Sequence, residues 1–346
     1  MNVKKKIMIS VISVIVLSVF LHLAELVLIP KYTDIPEGRL VSEYYGNEGG
    51  YDVLFVGDCE VYENFSTVTL WEEYGISSYI RGSAQQLIWQ SYYLLREMFE
   101  TEKPQAVVFN VLSMKYGEPQ NEAYNRMTID GMKLSSDKLE CIKASMTDGE
   151  SLWSYIFPIL RFHSRWSELT DKDFTYMFGN SEKVSYNGYL MQKGIVPVTE
   201  EQKGELIYVD PIPQICFDYL DKMRELCEAN GAELILIKSP TNSTKYWWYD
   251  TWDGQITEYA RKNGLDYYNM TDKCDEIGID WQTATYDGGL HLNVYGAEKT
   301  AAYFGKILSE KYNITDRSND STYSAKWQDI CERYYNERNK AEDKIQ

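Results

Sequence analysis

The residues best suited to chemistry in this chain of 346 residues are few and far apart. In "YDVLFVGDC" a short β-branched and aromatic run stops at the turn Gly57-Asp58-Cys59 and delivers a thiol at the end of a predicted strand. A thiolate is intrinsically more nucleophilic than a hydroxyl and needs less help from a base, so Cys59 in that position could attack an acyl carbonyl. A cysteine there can equally be a small packing residue, or the remnant of a lost active site, and the three readings stand side by side. Any base has to come from a short supply, because the chain has only three histidines. His22 lies in an apolar run and His163 sits among aromatic and basic residues in "LRFHSRW", which suits a structural role. That leaves His291 in "YDGGLHLNVYGAEKT" as the candidate base. Gly82 and Asn110 also fall at predicted strand ends, the edge at which an open parallel α/β sheet binds ligands. Their plainer explanations are an ordinary turn glycine and a strand-end cap.

The elements that must position these residues alternate. Strand patterns are predicted at Asp52 to Val56, Gly75 to Gly82, Gln105 to Leu112, Ala232 to Pro240 and Leu265 to Met270. Helical spacing is predicted over Ala84 to Glu100, Pro213 to Asn230 and Trp252 to Asn263, and from near Asn293 through "VYGAEKTAAYFGKILSEKY". This order predicts a parallel sheet with helices on both faces, with a core of about 50–112 and 213–312. Residues 113–212 form too long a gap for a connection and read as a largely helical inserted cap, with helices at Asp137 to Ser145 and Ser151 to Leu169. The polar tail 313–346 carries a helical pattern around Ala325 to Lys340 that either docks or projects. The aromatic cluster "KYWWYD", Lys245 to Asp250, could stack on sugar rings, although packing is the commoner use.

The motifs resemble those of the SGNH, or GDSL, hydrolases, whose blocks are a Gly-Asp-Ser nucleophile turn, a glycine, an asparagine and an Asp-x-x-His. Gly57-Asp58-Cys59 matches the first block with Cys in place of Ser, Gly82 in "IRGSAQQ" the second, and Asp287 with His291 approximates the last. "FNVLSMKYG" around Asn110 lacks the family's usual spelling, and Gly288 stands where the acid is expected, so Asp287 lies four residues before the histidine instead of three. An extra residue in a Gly-Gly turn could restore the geometry; Asp280 is the fallback acid, and loss of the acid is the third alternative. The chain is most similar to the membrane-anchored branch of the family that modifies cell envelopes, including teichoic-acid D-alanylation and alginate-type O-acetyltransferase proteins.

The resemblance implies a flavodoxin-like three-layer α/β/α fold and a Cys59-His291-Asp287 site. Backbone N–H groups of Cys59 and Gly82, with the Asn110 side chain, would form the oxyanion hole. It further implies an acyltransferase or esterase moving an acyl group, foremost acetyl, on a cell-surface polysaccharide or envelope polymer, with a membrane-bound O-acyltransferase as donor partner. The alternative is a catalytically decayed binding or scaffolding protein of an envelope-modification complex.

Composition sets the remaining bounds. Lys4-Lys5-Lys6 precede an apolar run from Ile7 to Ile29, long enough to span a bilayer and longer than a signal-peptide core, with no small-x-small cleavage site after it. Residues 1–30 are therefore read as a single-pass anchor with a cytoplasmic N-terminus, and 31–346 as an extracytoplasmic domain. A net charge of −17 excludes nucleic acid as a partner. The six cysteines (Cys59, Cys141, Cys216, Cys227, Cys274, Cys331) lack metal-ligand spacing, so no metal or cofactor is expected.

Overall fold

In the computed structural model the described residues are 3–30, 36–119, 121–178, 183–199, 211–242 and 249–342. Five strands form one parallel sheet: β1 Val53–Gly57, β2 Ser78–Gly82, β3 Ala106–Asn110, β4 Glu233–Lys238 and β5 Asp266–Asn269, in spatial order β2-β1-β3-β4-β5. Every residue of the first three is buried, Ser78 and Arg81 of β2 included, as parallel strands between two helical layers must be. Alternate residues feed two separate cores. Leu54 and Val56 pack with the Ile88–Phe99, Gln214–Asn230 and Tyr249–Asn263 helices, while Val53 and Phe55 pack with Thr67–Tyr74, Val294–Tyr312 and Ser321–Glu342. The result is the expected three-layer α/β/α sandwich. Strand order reverses between β1 and β3, so the crevice at their carboxyl ends is the place for a site, and both Cys59 and Asn110 border it.

The long β3–β4 connection has three parts. Helices Glu122–Ile129 and Ser136–Ser145 widen the layer that carries Ile88–Phe99, with Ile129, Cys141 and Ile142 in its core. The single helix expected over Ser151 to Leu169 is instead three short pieces, Leu152–Ile156, Ile159–Phe162 and a 3₁₀ turn His163–Ser167. Pro158, which lacks an amide hydrogen, interrupts the ladder between the first two. An extended strap then returns towards β1 and β2: Ile80 N–H donates to Asn187 O (2.9 Å), and Val196 N–H to Thr285 O (3.0 Å).

The tail docks. Trp327 stacks on Trp71 with centroids 5.2 Å apart and planes 4° from parallel. The Arg317 guanidinium clamps Asp52 just before β1, donating at 2.8 and 3.1 Å. At the other end of the chain, Val3–Leu28 is one continuous apolar helix, exposed over most of its length and long enough to cross a membrane. The cluster from Lys245 to Asp250 lies largely outside the described residues, which resume at Tyr249.

Candidate active site

The turn after β1 depends on Gly57. Its φ of 152° suits glycine, and a Cβ there would lie 2.7 Å from Val61 Cγ2 and 3.1 Å from Asn110 Cβ. Asp58 then caps the single helical turn Cys59–Tyr62, its Oδ1 accepting from Glu60 N–H at 3.2 Å. Cys59 is thereby presented, partly exposed, at the sheet's carboxyl edge. Gly82 lies beside Gly57 in the ladder, and a Cβ on it would come within 2.9 Å of Gly57 O and 3.1 Å of the Tyr62 ring. Only glycine lets the two strand ends approach this closely.

The histidine arrives on the loop from Thr285 to Asn293, ahead of the Val294–Tyr312 helix. Gly288 and Gly289 both take positive φ, 82° and 100°, and so fold the extra residue of Asp287-Gly288-Gly289-Leu290-His291 back on itself. Asp287 Oδ2 lies 2.6 Å from His291 Nδ1, while its Oδ1 accepts from the backbone N–H groups of His291 (2.9 Å) and Leu290 (3.1 Å). His291 Nε2 lies 2.9 Å from Cys59 Sγ. A sulfur, an imidazole and a carboxylate therefore stand in one hydrogen-bonded line across 232 residues of sequence. Asn64 holds the two halves together: its Oδ1 accepts from Leu292 N–H (2.9 Å) and its amide donates to Ser239 Oγ (2.8 Å). Asn293 caps the following helix, accepting from Tyr295 and Gly296 N–H.

A second carboxylate, which sequence reasoning missed, shares the imidazole. Glu63 Oε2 is 3.7 Å from His291 Nδ1, and Glu63 is buried, accepting from Tyr286 OH (2.8 Å) and Gln192 Nε2 (2.7 Å). The Tyr286 ring lies nearly parallel to the imidazole, 6.1 Å away. The only signal in the sequence was spacing, since Glu63 follows Cys59 by four and so lies on the same side of a helical turn.

Beneath the sulfur lies a charged cluster that was also missed. Glu60 receives Lys238 Nζ at 2.8 Å on both carboxylate oxygens, with side chains 3% and 2% exposed, and Lys238 also donates to Ser239 O. Asn110 belongs to this cluster. Its amide donates to Asp58 Oδ1 (3.2 Å) and Glu60 Oε2 (3.1 Å), and its Oδ1 accepts from Ser239 N–H (3.3 Å). Both amide hydrogens are thus committed to carboxylates, a correction to the expectation that this side chain is free to serve an oxyanion. Asp280, the fallback acid, sits on an exposed turn bonded to Gln282 N–H and Thr283 Oγ1, while the imidazole has Asp287 instead. His163 bonds the carbonyl of Leu160 on the broken-helix segment.

These surroundings set the proton balance. Burial pushes the Cys59 thiol up, and Asp58 adds to that, against the pull of His291. Burial alone would lower His291, but Cys59, Asp287 and Glu63 outweigh it and raise its pKa well above the ordinary value. Asp287 is held below the usual carboxylate range: burial opposes this, and hydrogen bonds from the His291 ring and backbone overcome it. One proton is therefore contested between Sγ and Nε2, and the pair titrates as a unit. Asp58, buried beside Glu60, is pushed up to about 6 despite Lys115 and Lys238. All six cysteines are free thiols, and among the described residues no group of acidic, histidine and cysteine side chains is arranged to hold a metal ion.

No protein-family profile matches the chain, and no curated protein matches it. Among solved structures it is similar to a Bacteroides fragilis protein provisionally described as an acylhydrolase, at 12% identity and a TM-score of 0.36, over 79% of this chain and 93% of that one.

Proposed function

We propose that this protein is a membrane-anchored enzyme of acyl transfer, an esterase or O-acyltransferase of the SGNH kind in which cysteine replaces the usual serine. The observation that carries the reading is the line Cys59 Sγ, His291 Nε2, His291 Nδ1, Asp287 Oδ2, with contacts of 2.9 and 2.6 Å at the carboxyl edge of the sheet. In this reading Cys59 Sγ bonds to the acyl carbon while its proton passes to Nε2. Collapse of the tetrahedral intermediate breaks the ester C–O bond, and the imidazolium returns the proton to the departing alcohol, leaving a thioester. Water or an acceptor hydroxyl then attacks that thioester with His291 as base, restoring the thiol. Asp287 fixes the imidazole tautomer and, with Glu63, stabilises the imidazolium. Backbone N–H groups of Cys59 and Gly82 are the proposed oxyanion donors, a contribution worth about 10²–10³ in rate for one such donor.

The substrate side of the proposal rests on the sequence resemblance and the apolar helix. We assign an extracytoplasmic domain with a cytoplasmic N-terminus, acting on acetyl groups of a cell-surface polysaccharide or related envelope polymer, with a membrane-bound O-acyltransferase as acyl donor. The test is to incubate the full chain in detergent with a chromogenic acetyl ester and look by mass spectrometry for an acetyl adduct on the Cys59 peptide, with and without an oligosaccharide acceptor. An adduct absent from Cys59→Ala supports the reading, and acceptor-dependent discharge selects transferase over esterase. A second reading, a decayed scaffold, is favoured by the burial that pushes the thiol up. No adduct together with an unreactive Cys59 would establish it.

A further inference from the structure

Six large apolar side chains within one 26-residue stretch of the β3–β4 connection face solvent: Trp153, Phe157, Leu160, Trp166, Phe174 and Phe178. Outside the N-terminal helix, the described residues include only five other exposed large hydrophobics, scattered along the chain, so this is a concentration. Trp166 and Phe178 are 74% and 76% exposed, and Trp153 and Phe157 stack on each other with ring centroids 6.0 Å apart. The segment packs against the end of the apolar helix Val3–Leu28. Glu25 Oε1 accepts from Ile159 N–H at 3.3 Å, at the first turn of Ile159–Phe162, and the Arg165 guanidinium donates both to Leu28 O and to Asp173 Oδ1 (3.2 Å). That contact explains an acid near the end of a membrane-length helix, since it satisfies a backbone donor of the segment beside it.

Length fixes the level at which this contact occurs. A hydrocarbon core about 30 Å thick takes about 20 residues at 1.5 Å each, so a span starting at Ile7 emerges near Leu26. Glu25 and Leu28, with the broken-helix segment bonded to them, therefore stand at the boundary between acyl chains and headgroups. Trp and Phe beside arginine are the side chains that boundary favours.

We propose that residues 152–178 form an interfacial platform whose exposed aromatic face is covered by the lipid bilayer around the foot of the anchor. The occupant is the bilayer because the patch is continuous with a helix of membrane-spanning length and lies at its exit level. The broken helices then have a use: three short pieces spread side chains over a plane, as one rod does not. Held by the helix and the platform together, the α/β domain keeps one orientation towards the membrane, so a substrate reaches Cys59 from a fixed side. The inference rests on the anchor reading and not on the chemistry of Cys59.

The test is lipid photolabelling of the full chain in phosphatidylcholine vesicles doped with a phosphatidylcholine that carries a diazirine in its acyl chain. Adducts are expected in the Val3–Leu28 peptides and in those covering 152–178. In the second region they should fall at least fivefold in Trp166→Ser/Phe178→Ser, with anchor labelling unchanged. Labelling of 152–178 no greater than that of the docked Ser321–Glu342 helix, with the anchor labelled normally, would overturn the platform and leave the anchor standing. That result would assign the face to a protein partner. Failure to label the anchor as well would overturn both.

Discussion

Asp287→Asn tests the proton balance at the site most directly. The carboxylate accepts from His291 Nδ1 at 2.6 Å and from two backbone N–H groups, so an isosteric amide keeps the loop in place while removing the charge that stabilises the imidazolium. A hydrogen bond to a charged group contributes about 1.5–3 kcal/mol. At 1.36 kcal/mol per unit, its loss should move the onset of Cys59 thiolate reactivity about one to two pH units higher. The sign follows from the coupling: a less stable imidazolium releases its proton to sulfur more readily, and the thiol then needs higher pH to ionise. The assay is the rate of iodoacetamide alkylation of the Cys59 peptide against pH, read by mass spectrometry with the full chain in micelles. Cys274 and Cys331, the other partly exposed thiols, are pushed up by burial to about 11 and about 12, and they lie on peptides distinct from that of Cys59. Glu63 remains 3.7 Å from Nδ1 in the variant, and Glu63→Gln/Asp287→Asn should shift the onset further than Asp287→Asn alone. An Asp287→Asn profile within about 0.3 unit of the parent would refute the assignment of Asp287 as the group that holds the imidazolium.

Three further outcomes are expected. Cys59→Ser should keep a low esterase rate, since a hydroxyl hydrogen still lies within reach of Nε2 for general-base removal, whereas Cys59→Ala should fall at least about 10³-fold; equal activity of Ala and parent would remove the nucleophile. Lys238→Met leaves the buried Glu60 carboxylate without its contacting cation, held by the Asn110 amide, and should cost about 3–5 kcal/mol in urea unfolding, most of it recovered in Glu60→Gln/Lys238→Met; a loss below about 1 kcal/mol would show the pair to be solvated. Asp58 has a folded pKa of about 6 against an ordinary value near 3.9, so its contribution to stability is complete below about pH 4 and is lost as pH rises through about 6. Asp58→Asn should therefore gain on the parent by up to about 3 kcal/mol between pH 4 and 7, and a pH-independent difference would contradict the raised carboxyl.

The sheet and the Gly57-Asp58-Cys59 turn were legible because local rules govern them. β1 and β2 are short buried runs that stop at a glycine, and all five strands appear within three residues of where the pattern put them. Pro158 was readable too, and a stricter use of its missing amide would have broken the helix expected over Ser151 to Leu169. The docking of the tail was not readable, because Trp71 and Trp327 meet across 256 residues and neither has a local reason to stack. Lys238 was hidden for a related reason. It closes a strand that reads as apolar, and only its partner Glu60, one residue beyond Cys59, explains a lysine there.

The two features hardest to see are the ones that balance the sulfur. Burial and the Asp58 carboxylate hold the Cys59 thiol protonated on their own, and Glu63 adds a smaller push in the same direction. On the other side Asp287 and Glu63 both face His291, so the imidazole is drawn towards its charged form by two carboxylates instead of one. A serine at position 59 would have little use for that second carboxylate, since a hydroxyl does not ionise at rest and needs a neutral base. A thiol does ionise when a cation stands beside it, and carboxylates beyond the imidazole are what keep that cation charged. The displaced acid, the two glycines that fold Asp287 back to His291 and the extra acid at Glu63 are thus one arrangement suited to cysteine.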